Sequence, residues 1–253
     1  MFTAGALVLG ATAAFVVGLS KTGLPGGALI AVPMLATVFD GRLIAGGTLP
    51  ILLVADLFAV GWYHEHARWD VIEPLAKWLG AGFVCGVTFF VVVGTASDVI
   101  AVTIGIIVLL IVGLQAFRMW RGNPPEGGGR GVTSVHGTIA GFTTFVANAA
   151  GPVVNTYLVR LGLLKHEMVG TSAWLYFLVN VSKIPIYLAL GWLTAGGSFF
   201  TADALLFDLI VIPGVFVGVF GGRALFRVIP QRAFAIVVLA LSALGALKLV
   251  VQT

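Results

Sequence analysis

Eight apolar runs follow one another along this chain, at roughly 3–39, 43–63, 74–94, 98–117, 132–159, 168–191, 203–222 and 231–250. Most approach or exceed the ~20 residues that a helix needs to cross a hydrocarbon core. Strands of a membrane barrel would be about half that length and strictly alternating, and these runs are not. Only 9% of the residues are charged, against about a quarter in a soluble domain, so a water-facing surface cannot be built around them. The fold class is therefore an all-α polytopic membrane protein with the lipid bilayer as its solvent. The 34 glycines suit that class, because glycine lets helix backbones approach closely in lipid.

The net charge of +4 comes from basic residues in short loops, where they orient a membrane chain, and nucleic acid is not an expected partner. The first lysine is Lys21. No basic region precedes the first apolar run, which is expected to stay in the mature protein rather than be cleaved as a signal peptide. Cys85, the single cysteine, reads as a small buried filler.

The most polar connections are HEHARWDVIE (64–73) and RMWRGNPPEGGGRG (118–131). The second is rich in Gly and Pro and reads as a surface linker. It divides the chain into a first transmembrane repeat (1–120), a cytoplasmic linker (121–131) and a second transmembrane repeat (132–253), each repeat with four apolar segments. At an offset of 124, Gly27 falls on Gly151, Gly46 on Gly170, Thr48 on Ser172 and Asp56 on Asn180. At an offset of 132, Gly82 falls on Gly214, Gly86 on Gly218 and Gly113 on Gly245.

Segments 1 and 5 are both interrupted, by SKTGLPGG (Ser20 to Gly27) and by VANAAGPVVN (Val146 to Asn155). Broken helices are tolerated in lipid only where the freed backbone is buried or lines a wet cavity. Paired breaks in two halves are a pointer to a transporter's binding site. If both segments are re-entrant, the loops at Arg68, at Arg118, Arg121 and Arg130, at Arg160 and Lys165, and at Arg223, Arg227 and Arg232 share one side. The positive-inside rule makes that side cytoplasmic, and the two halves become inverted relative to each other. Eight plain kinked spans are the alternative.

Ionisable residues inside a membrane are costly and mark function. Lys21 sits at the first break, beside hydroxyls and glycines whose backbone N–H groups attract anions. With Thr22, Gly26 and Gly27 it forms a candidate cradle for a small oxyanion. Asn148, Gly151 and Asn155 at the second break, and Asn180 in segment 6, are candidates for the uncharged lining. Asp56 in segment 2 and Lys183 in segment 6 are candidates for proton coupling or for an ion pair. His64 and His66 read as a solvated loop rather than a metal site, and no metal or cofactor is expected. Trp62, Trp69, Trp78, Trp120 and Trp192 read as an interfacial belt, whereas Trp174 either packs or faces the cavity. GxxxxGK[ST], GxSxG and HExxH do not occur, so neither ATP-driven transport by this chain alone nor enzymatic activity is expected.

The stretches GLSKTGLPGGALIAVPMLATVF and GGTLPILLVADLFAVGWYHEHARWD resemble the first half of the sulfite exporter TauE/SafE family. GFTTFVANAAGPVVNTYLV and GTSAWLYFLVNVSKIPIYLALG resemble its second half. By that resemblance Lys21, Thr22, Pro25 and Gly26 match the first-half signature, and Asp56 the acidic position of the second segment. Asn148, Ala149, Gly151 and Pro152 match the second-half signature, and Asn180 and Lys183 the sixth segment. The resemblance implies a multi-pass secondary carrier of the cell inner (plasma) membrane, moving sulfite, organosulfonates or related small anions. An uncoupled anion channel and a membrane-embedded subunit of a larger complex are the alternatives. Both a monomer and a homodimer, the latter through lipid-facing glycines, fit the sequence.

Overall fold

The computed structural model describes residues 2–23, 25, 28–35, 38–39, 42–92, 109–110, 113, 116–117, 120–121, 127–193 and 198–251. Most of the fourth expected segment, residues 122–126 of the linker, and Gly26 and Gly27 lie outside the described residues. The described elements are helices: α1 (Ala4–Thr22), α2 (Ala28–Leu35), α3 (Arg42–Gly47), α4 (Leu49–Tyr63), α5 (Trp69–Val92), α6 (Arg130–Ala147), α7 (Gly151–Arg160), α8 (Lys165–Leu193), α9 (Ala202–Val228) and α10 (Gln231–Val251). Among the described residues, five stretches are long and apolar enough to cross a membrane: Ala4–Thr22, Ala45–His66, Trp69–Phe89, Lys165–Leu193 and Ala202–Val228. The outward face of α9 carries Leu206, Leu209, Val217 and Phe220, all exposed. An apolar surface of this kind belongs in lipid rather than water. The chain is an all-α polytopic membrane protein.

Segments 1 and 5 are broken, and each folds back on itself. At the first break the Ala28 N–H donates to Ser20 Oγ at 2.8 Å. At the open end, Phe2 and Phe39 both pack on Phe207, with ring centroids at 5.0 and 5.3 Å. Both arms of this hairpin therefore begin and end beside the start of α9. In the second hairpin, Thr133 Oγ1 and the Tyr157 hydroxyl share a hydrogen bond of 2.8 Å. Its open end thus lies at the start of α6, beside the start of α5, where Gly137 abuts Leu75 and Trp78.

Helix α8 joins the two ends of the bundle. Near its start His166 stacks on His66, 5.2 Å between rings, and Glu167 pairs with Arg68 at 3.1 Å. Near its end Tyr187 stacks on Phe199, 4.4 Å away and within 8° of parallel. At 29 residues the helix is about 44 Å long, more than the ~30 Å of a hydrocarbon core. The hairpins open at opposite ends of α8. The end where α8 begins also gathers basic loops: Lys165 Nζ donates to the carbonyls of Phe226 and Ile229 at 3.0 and 2.8 Å, and Arg68 and Arg130 line one groove. The Asp70 carboxylate, and Glu167 after it, hold the Arg68 guanidinium above its ordinary value, as hydrogen bonds to the charged form do.

The most extensive helix–helix interfaces are α1 on α9 and α5 on α6. Glycine makes both close. A Cβ on Gly218 would strike the Phe15 carbonyl of α1, and one on Gly82 would strike the Thr138 carbonyl of α6. Two apolar clusters fill the bundle. One centres on Leu75, Val153, Leu158, Val169 and Phe234, the other on Ala14, Ile51, Ala55, Tyr187 and Phe207.

Two local expectations change. Cys85 is exposed rather than buried, because it lies on the side of α5 away from α6. The stretch 64–73 is less of a loop than its polarity suggests. A single 3-10 turn, His64–His66, is followed by helix from Trp69, and Trp174 packs on Trp69 at 5.4 Å rather than facing a cavity.

Candidate functional site

The chemistry of each break explains why the helix stops there. Helix α1 ends at Gly23, whose N–H returns to the Leu19 carbonyl at 2.9 Å. Pro25 follows, and a proline disfavours helical backbone in the residue before it. A Cβ at Gly23 would meet the backbone of Gly222, so only glycine lets α1 end this close to α9. Helix α6 ends at Asn148, which adopts the left-handed conformation with φ 52° and ψ 29°. Asparagine tolerates that region better than most residues. Pro152 then sits in the first turn of α7, where its missing N–H costs nothing.

The ends of these broken helices place polar side chains together in the bundle. Lys21 Nζ lies 2.7 Å from Asp56 Oδ1, with the two side chains 9% and 0% exposed. The same ammonium stands 4.3 Å from the centre of the Tyr176 ring, a cation–π distance. Asp56 Oδ2 accepts from Asn180 Nδ2 at 2.7 Å. Lys183 Nζ then donates to Asn180 Oδ1 at 3.2 Å, Thr144 Oγ1 at 2.9 Å and Asn148 Oδ1 at 2.7 Å. Asn148 Nδ2 closes the network on Thr48 Oγ1 at 2.8 Å and the Ala45 carbonyl at 3.2 Å. Buried polar groups are costly unless satisfied, and this chain of contacts pairs most of them across both halves of the molecule; the buried Tyr176 hydroxyl has no hydrogen-bond partner among the described residues.

A cavity of about 40 Å³ lies between the two breaks, above the ~10–15 Å³ that one water needs. Ser20, Lys21, Asn148, Gly151, Ser172, Tyr176 and Asn180 line it. Ala28 and Gly151, the first residues of α2 and α7, also reach it. Helix starts carry partial positive charge and N–H groups without helical partners. The cavity thus combines one ammonium, two helix starts, hydroxyls and amides, a set that favours a small anion over a cation.

The sequence model of one family, described as sulfite exporter TauE/SafE, matches residues 9–249. The chain belongs to the TauE/SafE family. Its members are membrane transporters. No curated protein and no solved structure matches the chain.

In this TauE/SafE chain the expected site residues that the structure describes divide into three groups. Lys21, Asn148, Gly151 and Asn180 line the cavity. Asp56 and Lys183 stand behind it, both fully buried; Asp56 pairs with Lys21, and Lys183 is linked to Asp56 through Asn180. Two residues point elsewhere. The Thr22 hydroxyl donates to the carbonyls of Val219 at 2.8 Å and Gly18 at 3.1 Å, tying α1 to α9. Asn155 is fully buried within α7 and does not line the cavity; its amide has no hydrogen-bond partner among the described residues. Gly26 and Gly27 lie outside the described residues. Sequence reasoning misses Tyr176, which gives no signal in an apolar run, and the cavity role of Ser172. It also misses Asp208, 1% exposed, whose carboxylate oxygens have no hydrogen-bond partner among the described residues. A carboxylate inside the run ALLFDLIVIPG is a signal that reading for charges in lipid finds.

Proposed function

We propose that the chain is a secondary transporter that moves a small oxyanion, sulfite or an organosulfonate, across the plasma membrane. The observation that carries this reading is the Lys21 ammonium on the wall of a cavity flanked by two helix starts. The family membership supports the sulfur oxyanion as the class of solute. The two halves are read as an inverted repeat, with the basic-loop end in the cytoplasm. Hairpins that enter from opposite ends support that arrangement, as does the direct contact of Asp56 with Asn180, the pair matched at an offset of 124.

Asp56 supplies a route to coupling. It holds Lys21 at 2.7 Å. An anion entering the cavity competes for the same ammonium, and a proton on Asp56 releases Lys21 to the anion. Binding of solute and of proton to the two partners of one ion pair is then favourably linked.

The test is uptake of labelled sulfite into proteoliposomes containing only this chain, with an imposed pH gradient. Concentrative uptake is expected, with a loss of about tenfold or more in Lys21→Ala, the scale of a lost charged hydrogen bond. Equal uptake by the folded Lys21→Ala variant overturns the site. Flux that only equilibrates, whatever the pH gradient, replaces the carrier with a channel.

A further inference from the structure

We infer that the Tyr176 hydroxyl donates a hydrogen bond to the transported anion, while its ring holds the Lys21 ammonium that binds the same ion. This rests on the anion-carrier reading and adds a contact residue to it.

Helix α8 brings Ser172, Tyr176 and Asn180 to the cavity. Their spacing of four residues puts all three on one face of the helix. Tyr176 is the middle one. Lys21 Nζ stands 4.3 Å from the centre of its ring, so ring and ammonium share one part of the wall. The hydroxyl is one bond beyond that ring, within the span of a small oxyanion seated against Lys21.

The other hydroxyls and amides among the lining side chains are engaged within the protein. Ser20 Oγ accepts from the Ala28 N–H at 2.8 Å. Ser172 Oγ donates to the Val169 carbonyl at 3.1 Å. Thr144 Oγ1 accepts from Lys183. Asn148 Nδ2 donates to Thr48 and to the Ala45 carbonyl, and Asn148 Oδ1 accepts from Lys183. Asn180 donates to Asp56 and accepts from Lys183. The Tyr176 hydroxyl differs from all of them: it is buried and has no hydrogen-bond partner among the described residues.

A buried donor without an acceptor is costly. On a cavity wall that cost is recovered when an acceptor enters. Water can serve between cycles, and a solute oxygen that takes its place keeps the bond. A phenol donates one hydrogen, and its bond to an ionised oxygen is stronger than its bond to a neutral one. Tyr176 therefore adds a directional donor to the charge that Lys21 supplies.

Tyr176→Phe tests this, because it removes the hydroxyl and keeps the ring under Lys21. Sulfite binding to the purified full chain in detergent is measured by titration calorimetry. The midpoint of thermal unfolding is measured on the same samples without sulfite. Sulfite is expected to bind about tenfold more weakly to Tyr176→Phe, the scale of one hydrogen bond to a charged group. The midpoint is expected to stay at or above that of the parent, because the hydroxyl has no protein partner to lose. Tyr176→Leu is expected to bind sulfite more weakly still, since Lys21 then loses its ring. Sulfite bound equally by Tyr176→Phe and the parent overturns the contact and leaves the anion-carrier reading standing. A lowered midpoint in Tyr176→Phe also overturns it, because the hydroxyl then serves the fold. Failure of the folded parent to bind sulfite overturns the carrier reading, and this one with it.

Discussion

The break after α1 ends on Lys21 and Gly23, and the break after α6 ends on Asn148 in the left-handed conformation. Each interrupts an apolar segment, each turns the chain back toward its starting end, and each is clamped by a glycine-bearing helix of the other half. Their chemistry differs. The first brings a formal charge to the cavity and neutralises it locally with Asp56. The second brings amides, hydroxyls and a helix start, and its nearest lysine, Lys183, stands behind Asn148 and Asn180 rather than on the wall. Two similar frames thus hold unlike groups, and the asymmetry in side chains gives the cavity a sign.

The largest effect that tests this contrast is on the first break. Asp56→Leu leaves Lys21 and the Asn180 amide without their buried partner. A loss of about 3–5 kcal/mol is expected, read as a lowered midpoint of thermal unfolding in detergent. The double variant Lys21→Met with Asp56→Leu should recover most of it, since an apolar pair of similar size replaces an ion pair at little cost. A stable Asp56→Leu single variant would mean that the first break does not depend on its charge pair.

A smaller effect compares the clamps. Gly218→Ala drives a Cβ into the Phe15 carbonyl and close to the Leu19 nitrogen, whereas Gly86→Ala meets the Phe145 ring at 2.8 Å. At Gly86 the Phe145 Cβ is also close, at 2.9 Å, but both contacts are with a side chain, whereas Gly218 meets helix backbone. Gly218→Ala is expected to lose about 1–3 kcal/mol, the scale of overpacking, and Gly86→Ala less, in the same unfolding measurement. Equal losses would show the two clamps to be equally rigid.

The smallest effect concerns the second break. Asn148→Gly and Asn148→Ala both remove the contacts to Lys183 and Thr48, but only alanine resists φ 52°. Alanine should be less stable than glycine by about 1–2 kcal/mol. No difference between them would mean that the left-handed residue is not what ends α6.

Much of this is legible in the sequence. SKTGLPGG and VANAAGPVVN contain the Pro and Gly residues that stop a helix, so both breaks are visible. Lys21, Asp56 and Lys183 are visible as charges inside apolar runs. Other parts are not. Thr22 and Lys21 are neighbours with equal claim to the site, yet a helix places them on different faces, so Thr22 turns to Val219 and Lys21 to the cavity. Asn155 shares a polar motif with Asn148, but seven residues on it lies on a side of α7 that the cavity does not reach. Tyr176 is chemically silent until Lys21 is seen over its ring. The resemblance of four stretches to the TauE/SafE family agrees with the family match over residues 9–249.

By itself, the sequence determined the solvent, the fold class and the places where helices break. Those follow from local quantities: transfer free energy summed along a run, and backbone freedom at Gly and Pro. Tertiary structure alone decided which lysine pairs with Asp56. Lys21 is 35 residues away along the chain and Lys183 is 127 away, and charge pairing in a low-dielectric interior depends on distance in space rather than on separation in sequence. Packing puts Lys21 against the carboxylate and Lys183 behind two amides.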